Sequence, residues 1–339
     1  MSEPPFDTDE IHAISSEHAK TLAERVGPLH LDGLTVLSRE VAEALSRHTG
    51  ELCLNSLTDL SPDAGEALAK RRWGSLELNG LQAISDATAQ ALALHEGDLF
   101  LDGLRAVSDK AAKALAMNDG GLSLNRVEFI SDTAARALGK HDSWLLLDGL
   151  TSLSPMAALE LARHRGDLSL GGLTEISSRV ARALAKNDGD LILDGLASLS
   201  PTAAAAIAMH QGSLRLGGLR EISTKTAEAL AKHRGLLDLR GLVTLSPEVA
   251  AALTQLRFVL CLDGLTELSV EAASALAQRK GRLVLNGLKT MSEGVAKAFA
   301  KHEGPLHLDG IRSLPDSVAE ALEKHSGKLI LGGLADSRN

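Results

Sequence analysis

Three polar residue types that do chemistry elsewhere return along this sequence at one fixed spacing. Histidine stands at His48, His95, His141, His164, His210, His233, His302 and His325, at multiples of 23 residues apart from one extra residue near the start. A second row mixes Asp and Asn, beginning Asp32, Asn55, Asn79, Asp102 and Asn125, and a third is Ser, from Ser38 to Ser292. The matching chemistries are zinc ligation by imidazole, calcium ligation by carboxylate and nucleophilic attack by a hydroxyl. Catalytic zinc takes converging ligands and keeps an open position, whereas the histidine row is also filled by Asn118, Asn187, Leu256 and Arg279. Calcium takes about six to eight oxygens, more than single carboxylates stacked between glycines supply. A serine nucleophile is singular and paired with a base; this serine is periodic. The rows read instead as scaffold: His, Asn and Arg complement helix C-terminal carbonyls, Asp and Asn close Asx-turns, and Ser caps helix N-termini. No GxGxxG, Walker, CxxC, HExxH or GxSxG pattern occurs. No catalytic residue, metal or cofactor is expected, and the chain reads as a protein other than an enzyme.

A repeat positions these rows. Leucine recurs at Leu29, Leu52, Leu76, Leu99, Leu122, Leu145, Leu168, Leu191, Leu214, Leu237, Leu260, Leu283, Leu306 and Leu329, every interval being 23 residues except the 24 between Leu52 and Leu76. A fixed period of this size marks a solenoid. Counting each leucine as place one, places one and three are apolar around a variable place two, the alternation of a short strand with one buried face. Gly at place five, behind Asp, Asn or Gly, predicts a turn with positive φ. Ser at place ten opens a helix, with Pro62, Pro155, Pro201 and Pro247 directly behind it. At Pro315 the serine is missing, and Asp316 or Ser317 is expected to cap a slightly shifted helix. The helix carries a narrow, alanine-rich apolar face, Val180, Ala181, Ala183, Leu184 and Ala185 in one repeat, and Gly at place twenty-two is expected to end it. Thirteen full repeats occupy residues 29–328. Residues 1–28 read as a degenerate repeat and cap, with Phe6 in the leucine place and Pro4, Pro5, Asp7, Asp9 and Glu10 around it. Residues 329–339 read as a terminal strand and tail, thinly covering an apolar layer.

Composition narrows the function classes. The 339 residues are 44% hydrophobic but only 2% aromatic, so the core is thin layers of Leu and Ala. The net charge of -9 is spread without acidic or basic blocks, which argues against a nucleic-acid surface. Cys53 and Cys261 both occupy place two, nine strands apart, roughly 43 Å at about 4.8 Å per strand and beyond disulfide reach. The acidic start lacks the apolar run of a signal peptide, and no apolar stretch approaches the roughly 20 residues of a membrane helix. A cytoplasmic protein without nucleic-acid or membrane partners is expected.

The strand written LxLxGL, followed by an inward LS and a short helix, resembles the leucine-rich repeat. The 23-residue length is similar to a bacterial class of that superfamily, and the match covers roughly residues 6 to 334. It departs in having no Asn at the interior ladder place after the strand. The resemblance implies an α/β, right-handed solenoid with a parallel sheet on the concave face and short helices on the convex face. It also implies a binding scaffold whose variable strand residues make the contacts.

Place two and the residue before place one should face out from the sheet. Phe100, Leu146 and Ile192 occupy place two on alternate strands, with Trp144 just ahead of Leu146, a composition typical of binding hot spots. With Arg215 and Asp238 on neighbouring strands they form the expected partner-binding row. Repeat ten breaks the pattern with Leu256 and Phe258 in place of His and Gly; with Val259 and Cys261 these form a second expected patch, and such departures are where function concentrates. The reading is a scaffold that binds a protein or peptide partner through its sheet, in competition with a structural protein that assembles with copies of itself.

Overall fold

The computed structural model describes residues 12–71 and 73–334. Phe6 and the Pro- and Asp-bearing start of the proposed cap lie outside the described residues, as do residues 335–339. The chain divides into two compact units, Met1–Leu170 and Gly171–Asn339. In the first, two-residue strands β1 (Leu29–His30), β2 (Leu52–Cys53), β3 (Leu76–Glu77), β4 (Leu99–Phe100), β5 (Leu122–Ser123), β6 (Leu145–Leu146) and β7 (Leu168–Ser169) alternate with helices α1 (Ser16–Ala23) to α7 (Pro155–Leu161). In the second, α8 (Ser178–Leu184) to α14 (Asp316–Leu322) alternate with β8 (Leu191–Ile192), β9 (Leu214–Arg215), β10 (Leu237–Asp238), β11 (Leu260–Cys261), β12 (Leu283–Val284), β13 (Leu306–His307) and β14 (Leu329–Ile330). Within each unit every strand pairs in parallel with the next, leucine opposite leucine: Leu29 with Leu52, Leu52 with Leu76, Leu214 with Leu237. The extra residue of the 24-residue repeat falls outside the strands, so the register survives it.

The core sits between strands and helices of the same repeat. Leu145, Leu147 and Leu150 at places one, three and six are fully buried, as are Ala157, Ala158 and Leu161 on the helix above them. Alanine permits this closeness, and each layer is too thin to hold without its neighbours. The helices begin as expected: Ser38, Ser61, Ser131, Ser154 and their counterparts each accept a hydrogen bond from the backbone N–H three residues on, at 2.9–3.3 Å. At Pro315 the expectation fails. Proline itself is the N-cap, no side chain caps it, and α14 starts in register at Asp316.

Both glycine expectations are corrected. Among the described residues only Gly27 and Gly74 have positive φ, at 97° and 81°, so the place-five turns do not need a left-handed backbone. What they need is room. A Cβ on Gly103 would sit 2.2 Å from the Asn79 carbonyl oxygen and 2.5 Å from that of Leu81. The place-twenty-two glycines are constrained likewise: a Cβ on Gly97 would lie 2.1 Å from the Gly74 carbonyl oxygen. They do not end the helices, which close earlier on a right-handed residue such as Ala93 (φ -62°, ψ -15°), whose N–H bonds to Ala89. At these glycines the backbone of the preceding repeat leaves no room for a Cβ, whereas Ser56, Arg126, Ser143 and Phe258 stand at the same places in repeats that depart from the pattern. Gly103→Ala should therefore lower stability by about 1–3 kcal/mol, the usual cost of overpacking, read as a lower urea midpoint.

Candidate functional site

The histidine row is buried apart from half-buried His325, and several of its members bind backbone carbonyls. His164 Nδ1 lies 2.6 Å from the His141 carbonyl oxygen, one repeat back, and its Nε2 lies 3.3 Å from that of Asp167. His95 Nε2 lies 3.1 Å from the Gly74 oxygen, and Asn118 donates to the His95 and Gly97 carbonyls. Arg279 donates to four carbonyls, those of Gly281, Arg282, Leu256 and Phe258. Where His, Asn and Arg bond at place twenty, they hold loop carbonyls of their own repeat or of the one before. Adjacent imidazoles stack at centroid distances of 5.8 Å for His141–His164 and 6.2 Å for His210–His233. Burial pulls the pKa of His95, His141, His164, His210, His233 and His302 below the ordinary imidazole value. Like-charge neighbours add to this at several of them, such as Arg71 beside His95 and His210 beside His233. The rings are therefore held neutral.

The Asp and Asn row at place four also works between repeats. Asp32 Oδ1 accepts from the Asn55 N–H at 3.0 Å, Asn55 from Asn79 at 3.1 Å, Asn79 from Asp102 at 2.9 Å, Asp102 from Asn125 at 2.9 Å and Asn125 from Asp148 at 3.1 Å. In the second unit Asp194 serves Gly217 and Asp263 serves Asn286 in the same way. Rather than closing a turn in its own repeat, each side chain satisfies the next repeat's backbone, because parallel stacking puts that N–H directly beside it.

These ladders consume most polar groups of the sheet face. Ser123 and Ser169 donate to Asp102 and Asp148 at 2.5 Å and are buried. Arg215 reaches Asp194 at 3.0 Å. Asp238, expected in the partner-binding row, is only 1% exposed. Gly217 has no side chain to offer the Arg240 N–H, so Asp238 accepts it at 3.0 Å and grips the Arg240 guanidinium as well. Arg215 and Asp238 are thus engaged inside the repeat framework.

The apolar members of the row are placed differently. Phe100 and Trp144 meet with ring centroids 5.5 Å apart and planes tilted by 47°, within the range of favourable aromatic pairs. The indole lies over Gly121, whose missing Cβ would coincide with it at 1.7 Å. The registers Phe100–Ser123 and Ser123–Leu146 put Phe100 and Leu146 on the same face of β4–β6, and all three apolar residues are half-buried. Ile192, in the second unit, is half-buried at its own place two. The second expected patch is corrected. Leu256 fills the buried ladder position with no exposure, and Cys261 is buried, its thiol pushed up to about 11 mainly by desolvation. Val259 is half-buried, and only Phe258 stands out, 48% exposed, beside a cleft lined also by Lys232, Arg234 and Arg257.

One cluster escaped the sequence reading. Donor atoms of Glu51, just ahead of β2, and of Cys53 and Glu77 on β2 and β3 all lie within 4.8 Å of one another. Cys53 is 1% exposed and its thiol donates to Glu51 Oε1 at 3.4 Å. Burial, together with Glu77, Glu51 and Asp32, pushes that thiol well above the usual range. The signal was the consecutive place-two residues His30, Cys53 and Glu77, which parallel register makes neighbours.

No protein-family model matches the chain, and no curated protein matches its sequence. Among solved structures it is similar to a chain of the Toll–Spatzle complex of Drosophila, with a TM-score of 0.53 and 14% identity over 88% of this chain and 42% of that one. It is also similar to an internalin of Listeria monocytogenes (TM-score 0.49, 16% identity, 93% and 88% of the two chains) and to a leucine-rich-repeat protein of Leptospira interrogans (0.47, 18%, 95% of each). The first of these likenesses is one of fold. Together with the strand, turn and short helix returning every 23 residues in parallel register, it defines the architecture: the chain has the leucine-rich-repeat fold. Among the described residues no helix is long and apolar enough to cross a membrane.

Two measurements probe the ladders. The lowered histidine pKa values mean that the unfolded chain binds more protons than the folded one below about pH 6.5, so stability falls as pH drops through that value. Tm should decline between pH 7 and pH 5, and His141→Asn with His210→Asn should flatten the decline, since Asn already serves at Asn118 and Asn187. Asn125→Ala should cost about 1–3 kcal/mol by leaving the Asp148 N–H without its acceptor, visible in urea unfolding.

Proposed function

We propose that the chain is a non-enzymatic scaffold that binds a protein or peptide partner through its sheet face. Phe100, Trp144 and Leu146 form the anchor, and Ile192 is a further contact. The observation that supports this is one of residue accounting. On the sheet face around β4–β6 the serines and aspartates are committed to bonds between repeats, whereas Phe100, Trp144 and Leu146 share that face, half-exposed, in a chain that is only 2% aromatic. Large, rigid side chains flanked by satisfied polar groups are what binding hot spots are made of. In the same reading residues 1–28 cap the repeats of residues 29–328, residues 329–339 are a terminal strand and tail, and the protein works in the cytoplasm, where free thiols such as Cys53 and Cys261 persist.

The test is co-purification with cross-linking from the native host, wild type against Trp144→Ala combined with Leu146→Ser, with circular dichroism as the control for folding. The double variant should lose the partner while keeping its spectrum; a partner retained at wild-type yield refutes the anchor. If the species lost is a second copy of the chain, seen as a concentration-dependent oligomer by light scattering, the self-assembling scaffold replaces the hetero-binding one.

A further inference from the structure

We propose that Glu51, Cys53 and Glu77, completed by His30, form a zinc-binding site on the sheet face of β1–β3. The placement follows from strand geometry. Glu51 and Cys53 are two residues apart and so emerge on one face, and register sets His30 and Glu77 on either side of Cys53. Neighbouring parallel strands lie about 4.8 Å apart, so His30 stands one strand from Cys53, and in the proposed site its ring turns onto the same point. Its Nδ1 lies 3.9 Å from Asp32 Oδ2, and its side chain is 60% exposed, with room to turn.

The donor distances suit a compact ion. Zinc bonds of about 2.0–2.3 Å place tetrahedral ligand atoms roughly 3.3–3.8 Å apart. Cys53 Sγ and Glu51 Oε1 already stand at 3.4 Å, and the remaining separations, within 4.8 Å, close by side-chain rotation of the half-buried glutamates. The chemistry of the set selects the metal. A thiolate excludes the oxygen-seeking calcium and magnesium, and thiolate, imidazole and carboxylate together are zinc donors.

Charge gives an independent reason. Several carboxylates elsewhere in the molecule meet a cation: Glu160 meets Arg136 and Arg163, Asp194 meets Arg215, and Asp238 meets Arg240. Among the described residues no lysine or arginine pairs with Glu51 or Glu77, although both flank a buried thiol. Asn55 Nδ2 holds Glu77 Oε2 at 3.0 Å, which orients one carboxylate and leaves its negative charge uncompensated. A divalent cation supplies that compensation. On binding, the Cys53 thiol gives up its proton, for which Glu51 is the adjacent acceptor on the way to solvent, and the sulfur forms a dative bond to zinc with no change of oxidation state.

The full chain, stripped with a chelator, is titrated with Zn²⁺ by calorimetry and with Co²⁺ by absorption spectroscopy. One equivalent of each should bind, the cobalt form showing a thiolate charge-transfer band in the near ultraviolet. Cys53→Ser and Glu77→Gln should each weaken binding at least about tenfold, and His30→Ala should weaken it too, while Cys261→Ser binds as wild type. Glu77→Gln keeps an amide oxygen for Asn55 and preserves the fold, which a thermal melt verifies. Absence of stoichiometric binding, binding unchanged in both Cys53→Ser and Glu77→Gln, or a cobalt spectrum without the thiolate band overturns the proposal.

Discussion

Parallel stacking at zero register offset is the constraint from which the other features follow. When leucine pairs with leucine one repeat on, every place in the repeat lies beside its own counterpart, so a residue's most important neighbour is a residue of the same kind. Leucine beside leucine makes a continuous core. A backbone N–H beside a side-chain oxygen makes the Asp and Asn ladder, and histidine beside histidine makes stacked neutral rings. The same spacing crowds a Cβ at most place-five glycines, because the carbonyl of the repeat before lies in that volume, although Ser56 and Arg126 stand at that place in two repeats. Even the 24-residue repeat obeys. Its surplus is absorbed near Gly74, one of two described residues with positive φ, and leaves the pairing of Leu52 with Leu76 intact.

This constraint decides what was legible in the amino-acid sequence. The period, the strands and the helix starts depend on contacts within a repeat: Ser131 caps the N–H of Ala134, three residues away, and short-range patterns show such pairs directly. Roles set by the adjacent repeat were misassigned. Place-five glycine resembles a turn residue when only its own repeat is considered, and its constraint, the Asn79 carbonyl in the case of Gly103, lies more than twenty residues upstream. Asp238 reads as an outward charge until Gly217, one repeat earlier, is seen to leave the Arg240 N–H without an acceptor. Leu256 looked like an apolar surface group because it replaces a histidine, but that histidine position is itself interior. The cluster at Cys53 is illegible for the same reason: Glu77 becomes its neighbour only through the register with the next strand.

Repeat ten shows how the framework tolerates a lost donor. Leu256 cannot bind carbonyls, and Arg279 in the following repeat takes four, its guanidinium fork spanning both loops. A histidine with two ring nitrogens could not do this. Burial of that charge is offset by the carbonyl dipoles around it, and Arg71, at the same place of the second repeat, reaches the Gly50 and Trp73 carbonyls in the same way.

The ladders also run one way. At place four the acceptor belongs to the earlier repeat and the N–H to the later one, as from Asn79 to Asp102; at place twenty the later side chain donates to the earlier carbonyl, as from Asn118 to His95. In these two side-chain ladders each repeat offers acceptors to its successor, while the strand N–H groups donate the other way, as from Leu99 to Gly121. Such a stack is vectorial: its two ends are chemically unlike, and copies of a repeat can add only head to tail.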